Sequence, residues 1–155
     1  MGLTYIEATV ANPLRSRKAA RVKFLVDSGA AYSVVPAAVL RRMGVKARST
    51  RSFILADGTT VKRRMGEALF RFDHHEGTSP VIFGQKGDST LLGSVSLEVL
   101  GFILDPLRRE LRPLPMLLTP LEPPGPREGR AKKQRMSTGG GKKSVLASPG
   151  FTRSF

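Results

Sequence analysis

Residues 24–36 read Phe-Leu-Val-Asp-Ser-Gly-Ala-Ala-Tyr-Ser-Val-Val-Pro, and this stretch restricts the fold more than any other. Val22, Phe24, Leu25 and Val26 have the apolar, β-prone character of a buried strand. That strand runs straight into Asp27. Taking an ionised carboxylate out of water is costly, so an acid at the mouth of a core strand calls for a reason. Ser28 hydrogen-bonds locally, and Gly29 permits a backbone that other residues resist. Together they predict a tight loop that presents a carboxylate from a rigid strand end. A second β-type run, Tyr32 to Val35, follows. Pro36 suits a first helical turn, and Val39, Leu40 and Met43 at helical spacing predict a helix of about two turns, closed by Gly44.

The rest of the chain is rich in strand signals. Leu3 to Val10 predicts a strand ended by Asn12-Pro13, and Arg15-Ser16-Arg17-Lys18 a solvated loop leading to the strand at Val22. Phe53–Ala56 and Thr59–Lys62 flank Asp57-Gly58, a hairpin signal whose type I′ turn needs positive φ at both central residues. Glu67–Phe72 and Pro80–Phe83 predict strands joined by a polar connection, Asp73–Ser79; Gln85–Ser89 turns the chain. Val95–Leu100 predicts a short helix with Ser94 or Ser96 as N-cap and Gly101 at its exit. Phe102–Leu104 and Glu110–Leu114 complete the set.

Composition narrows the function classes. The chain has 155 residues, enough for one domain of ordinary size. From Pro120 onward it is rich in Pro, Gly and basic residues and poor in apolar ones, so residues 1–119 are expected to form the domain and residues 120–155 a disordered basic tail. The net charge is +14; 18 basic residues face 10 acidic ones up to Thr119, and 8 face 2 beyond it. Such a balance attracts acidic partners as a bulk field. Residues 130–143 are therefore a nucleic-acid contact to weigh against a merely solvated tail. With no cysteine there is no disulfide, thiolate zinc site or cysteine nucleophile, which fits a reducing compartment. The N-terminus has no basic start and no apolar signal core, and no apolar run approaches the roughly 20 residues that cross a bilayer. The expectation is a cytoplasmic protein with no membrane partner. Asp73-His74-His75-Glu76 is expected to be a polar loop, and no metal or cofactor is expected.

Several of these parts, in this order, resemble the small retropepsin-like aspartic proteases of the retroviral and bacterial single-domain type, over about residues 3–118. The resemblance is carried by the apolar strand into Asp27-Ser28-Gly29-Ala30, the Pro-started helix and the Asp57-Gly58 hairpin. Leu91-Leu92-Gly93, the helix ending in Leu100-Gly101, and Leu104-Asp105-Pro106 carry the rest. It implies an all-β fold, a closed acid-protease barrel with one or two short helices and one lobe per chain. It also implies a homodimer, because the chain holds a single Asp-Ser/Thr-Gly and the mechanism needs two carboxylates sharing one proton. By resemblance, Asp27 is the catalytic residue, Ser28, Gly29 and Ala30 complete its loop, and Ala56, Asp57, Gly58 and Thr59 form the tip of a flap over a peptide substrate. The chain departs from the retroviral pattern in having Ser28 where Thr is common, and in a flap tip that is not glycine-rich. Two other functions stand beside an aspartic endopeptidase: a retropepsin-fold binding module without turnover, and a nucleic-acid-associated protein acting through its basic tail.

Overall fold

Strand β1 (Tyr5–Asn12) and strand β2 (Arg15–Val26) pair antiparallel, with Ile6 opposite Phe24 and Val10 opposite Ala20. In this computed structural model, which describes residues 2–118, only Pro13 and Leu14 join the two strands. The basic run Arg15–Lys18 is thus not the loop its composition suggests. It is the start of a 12-residue strand, admitted by a register shift that puts Ala11 opposite Ala19 but Asn12 opposite Arg15. Of this run only Arg15 pairs with β1; Ser16, Arg17 and Lys18 span the irregularity before Ala19, and all four residues stay exposed.

Strand β3 (Ser33–Pro36) leads into helix α1 (Ala37–Arg42), which ends before Gly44 at φ +75°. Strands β4 (Ser49–Ile54), β5 (Thr60–Phe72) and β6 (His75–Gly84) form a meander. Strand β7 (Leu91–Leu92), helix α2 (Ser94–Leu100) and the hairpin of β8 (Phe102–Asp105) and β9 (Glu110–Pro113) follow. The main sheet has the order β1-β2-β7-β3-β6-β5-β4. A further pairing of β1 Thr9–Ala11 with β5 Leu69–Arg71 closes six of these strands into a ring and leaves β4 attached outside, on β5. The all-β fold with two short helices is the one the sequence implies.

The two hairpin turns exchange the roles their composition suggests. Asp73 and His74 have φ of +46° and +64°, and Phe72 pairs directly with His75. This is the two-residue geometry of a type I′ turn, at residues whose short polar side chains tolerate the left-handed region. Most of the predicted Asp73–Ser79 connection is therefore strand. At Asp57-Gly58 only Gly58 has positive φ, +84°. Leu55 N–H donates to the Thr59 carbonyl and Gly58 N–H to the Leu55 carbonyl, which makes Ala56–Gly58 a three-residue loop with a left-handed glycine. The Asp57 carboxylate accepts the Thr59 N–H at 2.9 Å, a local bond that favours this turn.

The ring is filled by Val10, Phe24, Val35, Phe70, Val81 and Leu92, all fully buried, with Leu97 and Leu100 of α2 packed against them. Phe24 and Phe70 meet at 6.0 Å between ring centroids; each is worth roughly 1.5–3 kcal/mol of burial. Inside this apolar core lie three serines. Ser96 is not an N-cap: Gly93 holds that position with no side-chain cap, and Ser96 is buried one turn in. Its Oγ lies 2.6 Å from Ser33 Oγ and 2.7 Å from Ser79 Oγ. Ser33 Oγ accepts the Gly93 N–H at 2.9 Å, and Ser79 Oγ donates to the Pro80 carbonyl at 3.3 Å. One direction of donation therefore satisfies the whole chain, from Gly93 N–H through Ser33, Ser96 and Ser79 to Pro80. Replacing Ser96 with Ala leaves the Ser33 hydroxyl without an acceptor in a dry core. Ser96→Ala is expected to cost about 1–3 kcal/mol, read as a lowered urea midpoint at unchanged slope.

Candidate active site

Asp27 is the first residue beyond β2, and two backbone bonds and one to its carboxylate place it. Leu25 and Val26 run parallel to Leu91 and Leu92 of β7, and Asp27 N–H donates to the Leu92 carbonyl at 3.0 Å. Ala30 N–H folds back onto the Asp27 carbonyl at 3.2 Å, closing the turn. Gly29 N–H donates to Asp27 Oδ1 at 2.9 Å, so one carboxylate oxygen is aimed by the loop itself. Asp27 as a residue is partly exposed, and Ser28 and Gly29 beside it are exposed.

The loop after Asp27 is held from below by α2. The helix donates its first free N–H groups into it: Ser94 N–H to the Ala30 carbonyl at 2.8 Å and Val95 N–H to the Ala31 carbonyl at 3.1 Å. Gly93 makes this approach possible. A Cβ there would stand 2.6 Å from the Tyr32 carbonyl carbon and 2.8 Å from the Ala31 oxygen, closer than atoms pack.

A cleft of about 670 Å³ opens beside the loop. Gly29, Ala30 and Tyr32 form one side, Phe53, Ile54 and Leu55 of the β4–β5 hairpin another. The tip Ala56–Thr59 is exposed at the end of that hairpin, so the hairpin that carries the expected flap tip also walls the cleft lined by Gly29 and Ala30 of the Asp27 loop. The sequence offers no sign of how the hairpin is tied down. Arg63 of β5 grips Asp88 on the turn before β7 with two bonds, Nε to Oδ2 at 2.7 Å and Nη2 to Oδ1 at 2.9 Å. Arg51 of β4 donates to Tyr32 Oη at 2.8 Å. Arg51 and Arg63 are direct cross-strand neighbours. Their partners stand 19 and 25 residues away in the chain, too far for any local pattern to link them. Among the described residues no second carboxylate is hydrogen-bonded to Asp27, and Asp88 is engaged by Arg63.

The family model described as aspartyl protease matches residues 6–94. This chain belongs to the aspartyl protease family. The matched span of this protease-family chain includes the Asp27 loop, the β4–β5 hairpin and Leu92-Gly93. Two solved structures are also similar. The EIAV protease complexed with an inhibitor is 15% identical with a TM-score of 0.48, covering 64% of this chain and 89% of its own. A retropepsin-like aspartic protease from Rickettsia conorii is 26% identical with a TM-score of 0.47, covering 67% of this chain and 77% of its own. No curated protein sequence matches the chain. Among the described residues, no helix is long and apolar enough to cross a membrane. Residues 130–143, the proposed nucleic-acid contact, lie outside the described residues, as does the tail from Pro120.

The Arg63 guanidinium holds the Asp88 carboxyl below the usual carboxylate range; partial burial opposes it and the Gln85 N–H assists it. With the folded value below the unfolded one, the pair's stabilisation is present at neutral pH and is lost as pH falls below about 4 through the folded value. Asp88→Asn is expected to cost on the order of 1–3 kcal/mol at pH 7. The gap between the variant and the wild type should close towards pH 3, as followed by thermal denaturation at both pH values.

Proposed function

We propose that this protein is an aspartic endopeptidase that acts as a homodimer, with Asp27 of each chain forming the catalytic pair. The observation that carries the proposal is Asp27 at a strand end, with Oδ1 set by the Gly29 N–H, in a loop whose Gly29 and Ala30 line a cleft of about 670 Å³ walled by the β4–β5 hairpin. Two carboxylates brought together cannot both ionise, so the pair holds one proton. The ionised member takes a proton from a water, whose oxygen attacks the scissile carbonyl carbon. The protonated member gives its proton to the carbonyl oxygen. As the tetrahedral adduct collapses, the C–N bond breaks and the amine nitrogen takes a proton from the pair.

The second carboxylate comes most simply from a second copy, since one chain carries one such loop and a two-fold axis brings two together. The ends of the domain supply a surface that a copy would cover. Met116, Leu117 and Leu118, consecutive in the chain, are 66%, 92% and 94% exposed, and Leu3 at the other end is 64% exposed; exposed apolar surface of this kind marks interaction sites. In the dimer, Ser28 and Gly29, exposed in the single chain, would face their counterparts across the axis. The β4–β5 hairpin with its tip Ala56–Thr59 would close over an extended peptide and shield the chemistry from bulk water. The fold itself does not dictate turnover, so the test is chemical. Asp27→Asn keeps size and shape, and is expected to reduce cleavage of a generic peptide pool by at least about a thousandfold while the thermal midpoint holds.

The dimer has its own test. Sedimentation of the full chain is expected to give twice the monomer mass in the presence of a statine-type inhibitor. Serine at Met116, Leu117 and Leu118 is expected to shift the mass to monomer and to abolish cleavage along with it. A strict monomer that still cleaves peptide would overturn the shared pair.

A further inference from the structure

We propose that Arg51 makes the cleft selective for peptides that carry an acidic side chain beside the apolar residues that fill it. This rests on the cleft being the peptide site, and it names the substrate class of that site.

The hairpin carries two arginines side by side, and they are not equivalent: Arg63 lines the cleft, whereas Arg51 reaches it only through Tyr32, which does. Arg63 spends its fork on Asp88, and its remaining Nη1 donates to the Lys62 carbonyl. That pair is a neutral strut between the hairpin and the Gln85–Asp88 turn. Arg51, directly across the strand pair from Arg63, is exposed and meets only the neutral Tyr32. One Nη1–H goes to the hydroxyl, and the guanidinium carbon lies 5.6 Å from the ring centroid. Among the described residues Arg51 has no carboxylate within ion-pair distance; the pairs there involve Arg63, Arg71, Arg108 and Arg112. A guanidinium carries five donors in a planar fork suited to a carboxylate. Tyr32, itself a lining residue of the cleft, occupies one and leaves the others available.

The surroundings strengthen the selection. The cleft is otherwise lined by apolar side chains, including Val34, Phe53, Val61, Ile82 and Leu91, so a peptide enters by burying apolar residues. The one acid lining it, Asp88, is already paired. An acidic side chain that reaches past Tyr32 therefore meets a cation without an ion-pair partner among the described residues; a basic one there meets repulsion. Lys62 and Arg64, exposed on the same hairpin, add to a positive field that favours acidic peptides on approach.

The test uses reduced-amide peptides that are not hydrolysed, with bulky apolar residues at the central bond and Glu or Gln at each of the flanking positions in turn. Binding to the full chain is measured by calorimetry. At one position Glu is expected to bind on the order of tenfold tighter than Gln, the scale of a hydrogen bond to a charged group, with the preference shrinking in high salt. Arg51→Gln should reduce it to less than twofold, and Arg51→Lys should keep part of it. Equal binding of Glu and Gln peptides at every position, or a preference that survives Arg51→Gln, overturns the inference. A preference without hydrolysis of the matching normal peptide leaves the inference standing and removes the protease reading. Asp27-dependent hydrolysis without preference does the reverse, and peptides that do not bind at all overturn both.

Discussion

The structure depends on a two-residue strand that enters between two others. Leu91 and Leu92 lie parallel to the end of β2 and touch the start of β3 antiparallel at Val34, so the chain between Val26 and Ser33 must loop over them. The Leu92 carbonyl takes the Asp27 N–H, which ties the carboxylate-bearing residue to a segment 65 positions further on. Gly93 then turns the chain into α2 at a point with no room for a side chain. Beyond the bonds within its own loop, what fixes Asp27 passes through this crossing: the β2–β7 pairing, the helix N–H groups on the Ala30 and Ala31 carbonyls, and the glycine contact.

The crossing is anchored from inside by an unusual choice of core residues. Three serines stand where a purely apolar core would pack as well, and their hydroxyls run as one satisfied chain from Gly93 to Pro80. A buried hydroxyl without a partner is expensive, and a fully paired set is directional. Leucine or valine at these positions would hold the helix against the sheet but would not fix the height of Gly93 over the loop. The polar chain thus links β3, β6 and α2 to the position of one backbone N–H.

Local chemistry misleads at several places, each for a physical reason. Arg15–Lys18 look like a loop because they are charged, yet Arg15 pairs with Asn12 across a register shift and the extended chain runs on through Ser16–Lys18 to Ala19, which does not require apolar side chains. Asp57-Gly58 has the composition of a two-residue turn, but the Asp57 carboxylate is satisfied by Thr59 in a longer loop. Asp73-His74, without a glycine, takes the tight turn because strand registry leaves two residues to make it. Ser96 looks like a cap and is a core hydroxyl instead. At Asp57 one local bond outweighed another; in the other cases tertiary structure outweighed a local preference of about a kcal/mol.

What the sequence determined by itself is the set of elements and the acid. Alternating and continuous apolar runs demand strands, Pro36 and Gly101 bound the helices, and Asp27 between an apolar strand and Ser28-Gly29 marks the loop for chemistry. These are local signals, carried within a few residues. What only the tertiary structure decided is what converges on that loop. The closing of the ring, Leu92 and Gly93 beneath Asp27, the serine chain, and the unequal fates of Arg51 and Arg63 all join residues far apart in sequence. No periodicity encodes such meetings, because they follow from how strands order themselves once the apolar core has formed.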